Sequence, residues 1–169
     1  AAATGSVDGT WKVLATGSEV GYRVPETLFG QSTTAAGRTD AVTGTMTIAR
    51  TSVPSAAFTV DTTKITSDQA NRDRQFNGRI METATYPTAK FVLTKPIDFA
   101  GIPANLKKIT VPATGNLTLH GKTNPVTFQI EAKRNGANIE TSGSIPIAFA
   151  DYSVNNPSGG PASVGDNGE

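Results

Sequence analysis

Residues 124–149 read NPVTFQIEAKRNGANIETSGSIPIAF, and apolar and polar side chains alternate along almost the whole stretch. A period of two places alternate side chains on opposite faces of a β-strand, so it predicts strands with one buried face. Asn135-Gly136 interrupts the alternation, and both residue types tolerate the positive φ of a tight turn. These residues therefore predict a long antiparallel hairpin with one dry face.

Other segments of the chain are also predicted to be β-strands. Further strands are predicted over residues 10–14, 20–24, 35–49, 56–60, 90–94 and 106–119, and residues 35–49 form either one bent strand or two short ones. Pro25 is expected to end the second strand, and residues 26–29 to form one helical turn closed by Gly30. The tail over residues 155–168 is expected to be a loop.

One segment has the pattern of a helix. Thr66 and Gln69 have the spacing of a capping box, which predicts a helix over residues 67–77. About seven strands and a single helix in one domain predict a closed or nearly closed antiparallel barrel, because closure removes exposed sheet edges. The fold class is therefore all-β, with one short helical insertion.

Composition narrows the classes of function. The 169 residues suit one domain, which we expect over residues 10–169 behind a flexible lead over residues 1–9. Fifteen basic and 14 acidic residues leave a net charge of +1, so no overall charge attracts nucleic acid. The chain has no Cys, which excludes disulfides and thiol catalysis. No apolar run is long enough to predict a membrane span.

Polar side chains give no catalytic set. His120 is the one histidine and lies in a turn, where an exposed turn residue is expected. Asp98 and Asp151 are isolated carboxylates, and a single carboxylate does not make an acid–base pair. An enzyme would require these three side chains to meet at a cavity mouth. No catalytic residue and no cofactor are predicted.

Charged side chains around the predicted helix are mixed in sign. Asp68, Asp73 and Glu82 alternate with Arg72, Arg74 and Arg79. Oppositely charged residues at this spacing form ion pairs along a helix surface, whereas a metal site needs converging ligands. We therefore predict surface ion pairs and no metal site.

The inward apolar face is the remaining candidate site. Its predicted lining residues are Val20, Tyr22, Val24, Phe58, Val60, Phe91, Leu93, Leu117, Leu119, Val126, Phe128, Ile130, Ile145, Ile147 and Phe149. Small barrels are either filled by such side chains or hold one apolar ligand. Periodicity alone leaves both alternatives open.

Four segments in order along the chain carry a family resemblance. They are residues 11–13 with 18–24 (WKV and SEVGYRV), residues 42–46 (VTGTM), residues 71–76 with 86–91 (NRDRQF and YPTAKF), and residues 115–126 (GNLTLHGKTNPV). Together they resemble the YceI-like family of lipocalin-like barrels associated with polyisoprenoid binding. The sequences of these segments are similar to those of actinobacterial members, which commonly act outside the cytoplasmic membrane.

This resemblance implies a fold and a function. The expected fold is a lipocalin-like antiparallel barrel of about eight strands, and the closing strand that usually follows a Ser-Val-Gly-Asp turn is missing after residues 163–166. The expected function is non-enzymatic binding of a long polyprenyl or isoprenoid quinone lipid, for transport, storage or sequestration. An extracytoplasmic location, an N-terminal membrane anchor outside this sequence and a homodimer are compatible with it.

A second hypothesis for the function remains open beside lipid binding. A side-chain-filled barrel would make the chain a structural or interaction protein that binds a protein partner through its loops or an open seam. An unpaired seam exposes backbone donors and acceptors, which favours such pairing. The occupancy of the barrel interior decides between the two readings.

Overall fold

Antiparallel strands dominate the computed structural model, which describes residues 7–99, 108–158 and 162–169. The strands are β1 Gly9–Lys12, β2 Val20–Leu28, β3 Gln31–Thr39, β4 Val42–Ala49, β5 Ser52–Asp61, β6 Thr66–Ser67, β7 Thr88–Leu93, β8 Ile97–Asp98, β9 Ile109–Leu119, β10 Lys122–Asn135, β11 Asn138–Gly143, β12 Ile147–Ala148, β13 Ala162–Val164 and β14 Asn167–Gly168. The predicted all-β class is confirmed. The tail was predicted as a loop and instead contributes β13 and β14.

Two curled sheets form a lipocalin-like half-barrel. The main sheet has the order β1-β4-β5-β7-β9-β10-β11, with β8 added to β5, and the second has the order β13-β2-β3-β6. Two backbone hydrogen bonds between Arg23 and Glu169, at 2.9 and 3.0 Å, connect the second sheet to the pair β12–β14. Among the described residues β11 forms a ladder with β10 alone, so a seam remains between the sheets.

The long hairpin is present with a slightly different turn. Strands β10 and β11 pair from Ile130↔Gly143 to Asn135↔Asn138, which leaves Gly136 and Ala137 as the turn residues. The predicted turn at Asn135-Gly136 is therefore wrong by one position. Gly136 has a φ of +61°, a value that glycine adopts without steric conflict.

Strand β2 continues through Pro25, so the predicted strand end there is wrong. The Pro25 carbonyl accepts a hydrogen bond from Gly165, while Thr34 of β3 lies opposite Pro25. In a strand the N and the C=O of one residue face the same neighbour, so the missing N–H lies on the Gly165 side. The β2–β3 ladder loses no bond. Residues 26–28 are strand rather than the predicted helical turn.

The helical segment begins and ends three residues later than predicted, and it is not capped as predicted. Helix α1 covers Ala70–Gln75 and continues as a π-helix over Phe76–Ile80, and 3-10 helices cover Thr62–Lys64 and Phe149–Tyr152. Gln69 makes no capping hydrogen bond with its side chain. Instead the Asp73 carboxylate accepts hydrogen bonds from the Ser67 N–H and hydroxyl, at 2.8 and 2.7 Å. Because Asp73 binds the preceding strand, it replaces the expected capping box.

Buried side chains form two separate clusters. The helix-end cluster consists of Ile65, Phe76, Met81, Phe149, Tyr152 and Val154. The strand-end cluster consists of Ile48, Val53 and Phe99. Leu117 and Leu119 of β9 pack on the first cluster, and Ile109 and Val111 of the same strand pack on the second. The clusters therefore lie at opposite ends of the half-barrel.

The N-terminal residues pack on the main sheet where they are described. Val7 contacts the strand-end cluster, and its carbonyl accepts a hydrogen bond from Trp11 Nε1 at 2.8 Å. Residues 1–6 of the predicted lead and the first two residues of the strand predicted over 106–119 lie outside the described residues. None of the helices in the described ranges has the length and apolar character needed to cross a membrane.

Candidate functional site

The apolar face of the main sheet runs from one cluster to the other. Phe58 pairs with Phe91, Phe91 pairs with Leu117, and Ile130 pairs with Val111. Directly opposed residues share one face of a sheet, so these side chains face the interior together. Between the clusters the face is lined by five half-buried side chains, which we call the interior trough: Phe58, Phe91, Val126, Phe128 and Ile130.

Aromatic rings and glycines shape the trough. Each ring lies beside a glycine of a nearby strand, in the pairs Phe58–Gly44, Phe91–Gly115 and Phe128–Gly143. The rings of Phe91 and Phe128 meet edge to face, with centroids 5.4 Å apart. They come from β7 and β10, the two neighbours of β9, on which Gly115 lies. Each aromatic ring of the trough thus covers a glycine on a nearby strand of the same sheet.

Exposure of the inward side chains changes along this face. Ile48 and Val53 at the strand end are 4% and 5% exposed, and Phe149 at the helix end is 8% exposed. The trough side chains lie between them and are only half-buried. No large side chain among the described residues is less than 2% exposed. The trough side chains are therefore less buried than the centres of the two clusters, whereas Ala113, which lies opposite Phe128, is fully buried.

Thirteen of the 15 predicted lining residues fall into three groups. The helix-end cluster includes or contacts Tyr22, Val24, Leu117, Leu119, Ile147 and Phe149, and the strand-end cluster contacts Leu93. The trough contains Phe58, Phe91, Val126, Phe128 and Ile130, next to the more deeply buried Val60. Ile145 is half-buried outside both clusters. Val20 was predicted to face inward, but it is 38% exposed, because the seam leaves that end of β2 uncovered.

An ion pair lies at the helix end of the inner surface. Arg72 of α1 donates to Glu26 of β2 at 2.8 Å and to Asp68 at 2.6 Å. The side chains of Arg72 and Glu26 are only 20% and 11% exposed. The predicted pairing of Arg72 with Asp68 is present. The contact with Glu26 was missed because residues 26–29 were assigned to a helical turn, although Glu26 continues the phase of Tyr22 and Val24.

Two tyrosines at this end hold their protons more tightly than free tyrosine. Tyr22 stacks on Phe76 with centroids 5.0 Å apart. Burial raises the pKa of Tyr22, and Arg72 opposes this rise while nearby carboxylates reinforce it. Burial also raises the pKa of Tyr152, against a hydrogen bond with Asn124 that lowers it. Both hydroxyls therefore stay protonated to a higher pH than the hydroxyl of free tyrosine.

These pKa shifts predict a loss of stability at alkaline pH. The unfolded chain releases tyrosine protons near pH 10, before the folded chain does. The stabilisation is present below about pH 10 and is lost as pH rises through the folded-state pKa. Urea unfolding at about pH 8 and about pH 11 measures it. Tyr22→Phe, which removes one hydroxyl, should weaken the pH dependence, and an unchanged dependence would contradict the role of Tyr22.

His120 connects the turn between β9 and β10 to two other segments next to the helix-end cluster. Its Nδ1 lies 3.0 Å from the Tyr152 carbonyl and its Nε2 lies 2.6 Å from Glu82 Oε2. A carbonyl only accepts, so Nδ1 donates to it, and Nε2 lies within hydrogen-bond distance of the carboxylate. The ring also meets Tyr86 edge to face at 4.7 Å. The predicted exposed turn residue is wrong, because His120 is 8% exposed.

The convergence that an enzyme would require is not observed. Asp98 pairs with Ser52 next to the strand-end cluster, whereas His120 bonds to Tyr152 of the helix-end cluster. Asp151 adjoins Tyr152 but is exposed. Within residues 7–99, 108–158 and 162–169 no group of three or more His, Asp or Glu side chains is arranged to hold a metal ion. The polar residues of the helix end are therefore structural in their contacts.

A hollow adjoins the helix-end cluster. It has a volume of about 580 Å³ and is lined by residues 148–150, 153–156 and 166–167. Phe149 and Val154 contribute apolar surface, but Asn155, Asn156 and Asp166 line it as well. Because this lining is mixed, the uniformly apolar trough is the better candidate site for an apolar ligand.

Comparisons with known proteins agree with the fold. A family model described as the YceI-like domain matches residues 11–169. A UPF0312 protein of Vibrio parahaemolyticus is 38% identical over 73 residues, which are 43% of this chain and 35% of that protein. A UPF0312 protein of Vibrio campbellii matches to the same extent. The matched region thus spans about a third of the length of these relatives.

Solved structures show the same architecture. Burkholderia cenocepacia BcnA superposes with a TM-score of 0.64 at 22% identity, over 87% of this chain and 91% of that one. A polyisoprenoid binding domain from Saccharophagus degradans gives a TM-score of 0.64 at 18% identity, over 88% and 87%. The Campylobacter jejuni YCEI protein gives 0.51 at 16% identity, over 67% of each chain. At these identities the similarity establishes the fold.

Proposed function

This chain belongs to the YceI-like family, and from that premise we propose that it binds a long apolar lipid of the polyisoprenoid type in the interior trough. Binding is non-enzymatic, and it serves transport, storage or sequestration of the lipid. The observation that carries the proposal is the accessible aromatic wall between two packed clusters. A barrel filled by its own side chains would bury this wall as deeply as its ends.

The chemistry of the trough suits a hydrocarbon chain. Its five lining side chains are all apolar, so they offer no fixed hydrogen-bond partner and require none. Transfer of apolar surface out of water contributes about 25 cal/mol per Å², so a long tail gains affinity from length alone. The polyisoprenoid binding domain of Saccharophagus degradans has the same fold and supports this ligand class.

Several finer features of the proposal rest on the family resemblance. They are the choice between a polyprenyl and an isoprenoid quinone lipid, a location outside the cytoplasm, a membrane anchor and a homodimer. The polar boundary at the helix end, formed by Arg72 and Glu26, limits how far an apolar tail extends in that direction. A polar head group belongs near this boundary or at the seam.

Ile130→Trp is expected to weaken lipid binding at least tenfold without a large loss of stability. The larger side chain projects into the accessible trough beside Gly143 and displaces the ligand. Loss of about 60 Å² of apolar contact is worth roughly 1.4 kcal/mol, which is a factor of ten. Native mass spectrometry with an added long-chain polyprenol, and separately with an isoprenoid quinone, measures the bound fraction.

Gln129→Trp is the matched control for this substitution. It places the same indole on the opposite, exposed face of β10, so lipid binding should match that of the parent chain. Equal binding by the parent and Ile130→Trp would overturn the trough as the site. A parent chain that takes up neither lipid would favour the filled barrel and a protein partner instead.

A further inference from the structure

The hairpin that joins β2 and β3 ends in an exposed aromatic residue. Leu28 and Gln31 are paired, which leaves Phe29 and Gly30 as a two-residue turn. Phe29 is 78% exposed and Leu28 is 38% exposed. Packing against the rest of the chain therefore does not account for the phenyl ring, and hydrophobic burial would favour a polar residue at this position.

The conformation of the turn does not account for the phenyl ring either. Phe29 has a φ of +49° and Gly30 a φ of +77°, so both turn residues are left-handed. Asn, Asp and Gly are the residues that such turns prefer, and a bulky side chain with positive φ is an outlier. A residue that breaks the local rule without a gain in packing points to a function away from the core.

Between Glu26 and Arg38 the hairpin carries no charged side chain. Residues 27–36 read TLFGQSTTAA, ten residues without an acidic or basic side chain. The neighbouring strand β13, which pairs with residues 26–28, reads ASV. Leu28 lies on the same face of β2 as Tyr22 and Val24, so the tip extends the inner apolar face beyond Glu26. The tip is thus apolar and uncharged, and Glu26 with its partner Arg72 separates it from the proposed site.

We propose that the β2–β3 hairpin tip inserts into the surface of a lipid bilayer, with Phe29 and Leu28 as the inserted side chains. Charged groups resist entry into the membrane, whereas aromatic side chains are favoured at its interface, so an uncharged aromatic tip fits this partner. Two side chains are too few for a stable protein interface, which buries about 800 Å² on each partner.

Flotation of the purified chain with phosphatidylcholine vesicles tests the proposal. Phe29→Asn is expected to lower the vesicle-bound to free ratio roughly tenfold, because the apolar area of the ring is lost. The same substitution should leave the melting temperature unchanged or raise it, because Asn is favoured in a left-handed turn. Binding of the parent chain should persist at high salt, since no charge takes part.

Leu14→Asn is the matched control, because Leu14 is also exposed, at 53%, but precedes the opposite end of β2. It should bind vesicles as the parent does. The proposal is overturned if the parent chain does not float with vesicles, if Phe29→Asn binds as well as the parent, or if Leu14→Asn loses as much binding. The vesicles contain no isoprenoid, so a failure here is distinct from a failure of the proposed ligand.

Discussion

Replacement of His120 by alanine is expected to lower the free energy of unfolding by about 3 kcal/mol. The substitution leaves the Tyr152 carbonyl without its partner inside the helix-end cluster, where Tyr152 is only 2% exposed. It also removes the imidazole that packs on Tyr86. The Glu82 side chain is half-exposed, so water replaces much of its contact with Nε2, and this contact adds little to stability.

Urea unfolding at neutral pH, followed by circular dichroism, measures the loss. Lys122→Ala is the control, since it changes an exposed side chain two residues beyond His120 and should alter stability by less than about 0.5 kcal/mol. If His120→Ala and Lys122→Ala gave the same free energy of unfolding, the hydrogen bonds of the imidazole would not hold the three segments together.

Gly115→Ala is expected to destabilise the chain by about 2 to 3 kcal/mol, although it adds one methyl group. A Cβ at this position would lie 2.4 Å from the Val92 carbonyl oxygen and 2.6 Å from the Phe91 ring. The carbonyl belongs to the backbone of the neighbouring strand, so relief of the clash requires the β7–β9 ladder to move. Displacement of Phe91 also disturbs its contact with Phe128.

Gly78→Ala provides the comparison for that substitution. A Cβ at Gly78 would have no atom within 4 Å, and the residue lies in the π-helix that follows α1. Alanine there should be neutral or stabilise by about 0.5 kcal/mol, because glycine loses more entropy on folding. Thermal melts of both variants give the answer. Similar melting temperatures for Gly115→Ala and the parent would show that the wall of the trough accommodates a side chain.

Strands whose alternation is strong could be predicted from the sequence. β10 and β11 follow the apolar periodicity of residues 124–149, and only their turn is displaced by one position. β2 was cut short at Pro25 because the side on which a proline lacks its hydrogen bond depends on the neighbouring strand. The neighbour is Gly165, which is distant in sequence. Pairing with a residue distant in sequence therefore determines where β2 ends, and the local sequence pattern does not contain that information.

The candidate site could be predicted only as a face. Inward residues were identified by their phase, but phase does not say which of them pack and which line a space. That difference depends on register, which places Gly115 beside Phe91 and Gly143 beside Phe128. His120 was missed for a similar reason, because its partners Glu82 and Tyr152 are 38 and 32 residues away. His120 has a φ of +51°, which histidine tolerates, so its position in a turn gave no indication of burial.

The two packed clusters share no residue, and this separation has an energetic consequence. Changes at sites without common neighbours combine additively, so a substitution that weakens one cluster does not by itself weaken the other. Native proteins open locally in such cooperative units, with free energies well below that of complete unfolding. One end of the half-barrel is thereby free to loosen while the distant cluster keeps the strands in register.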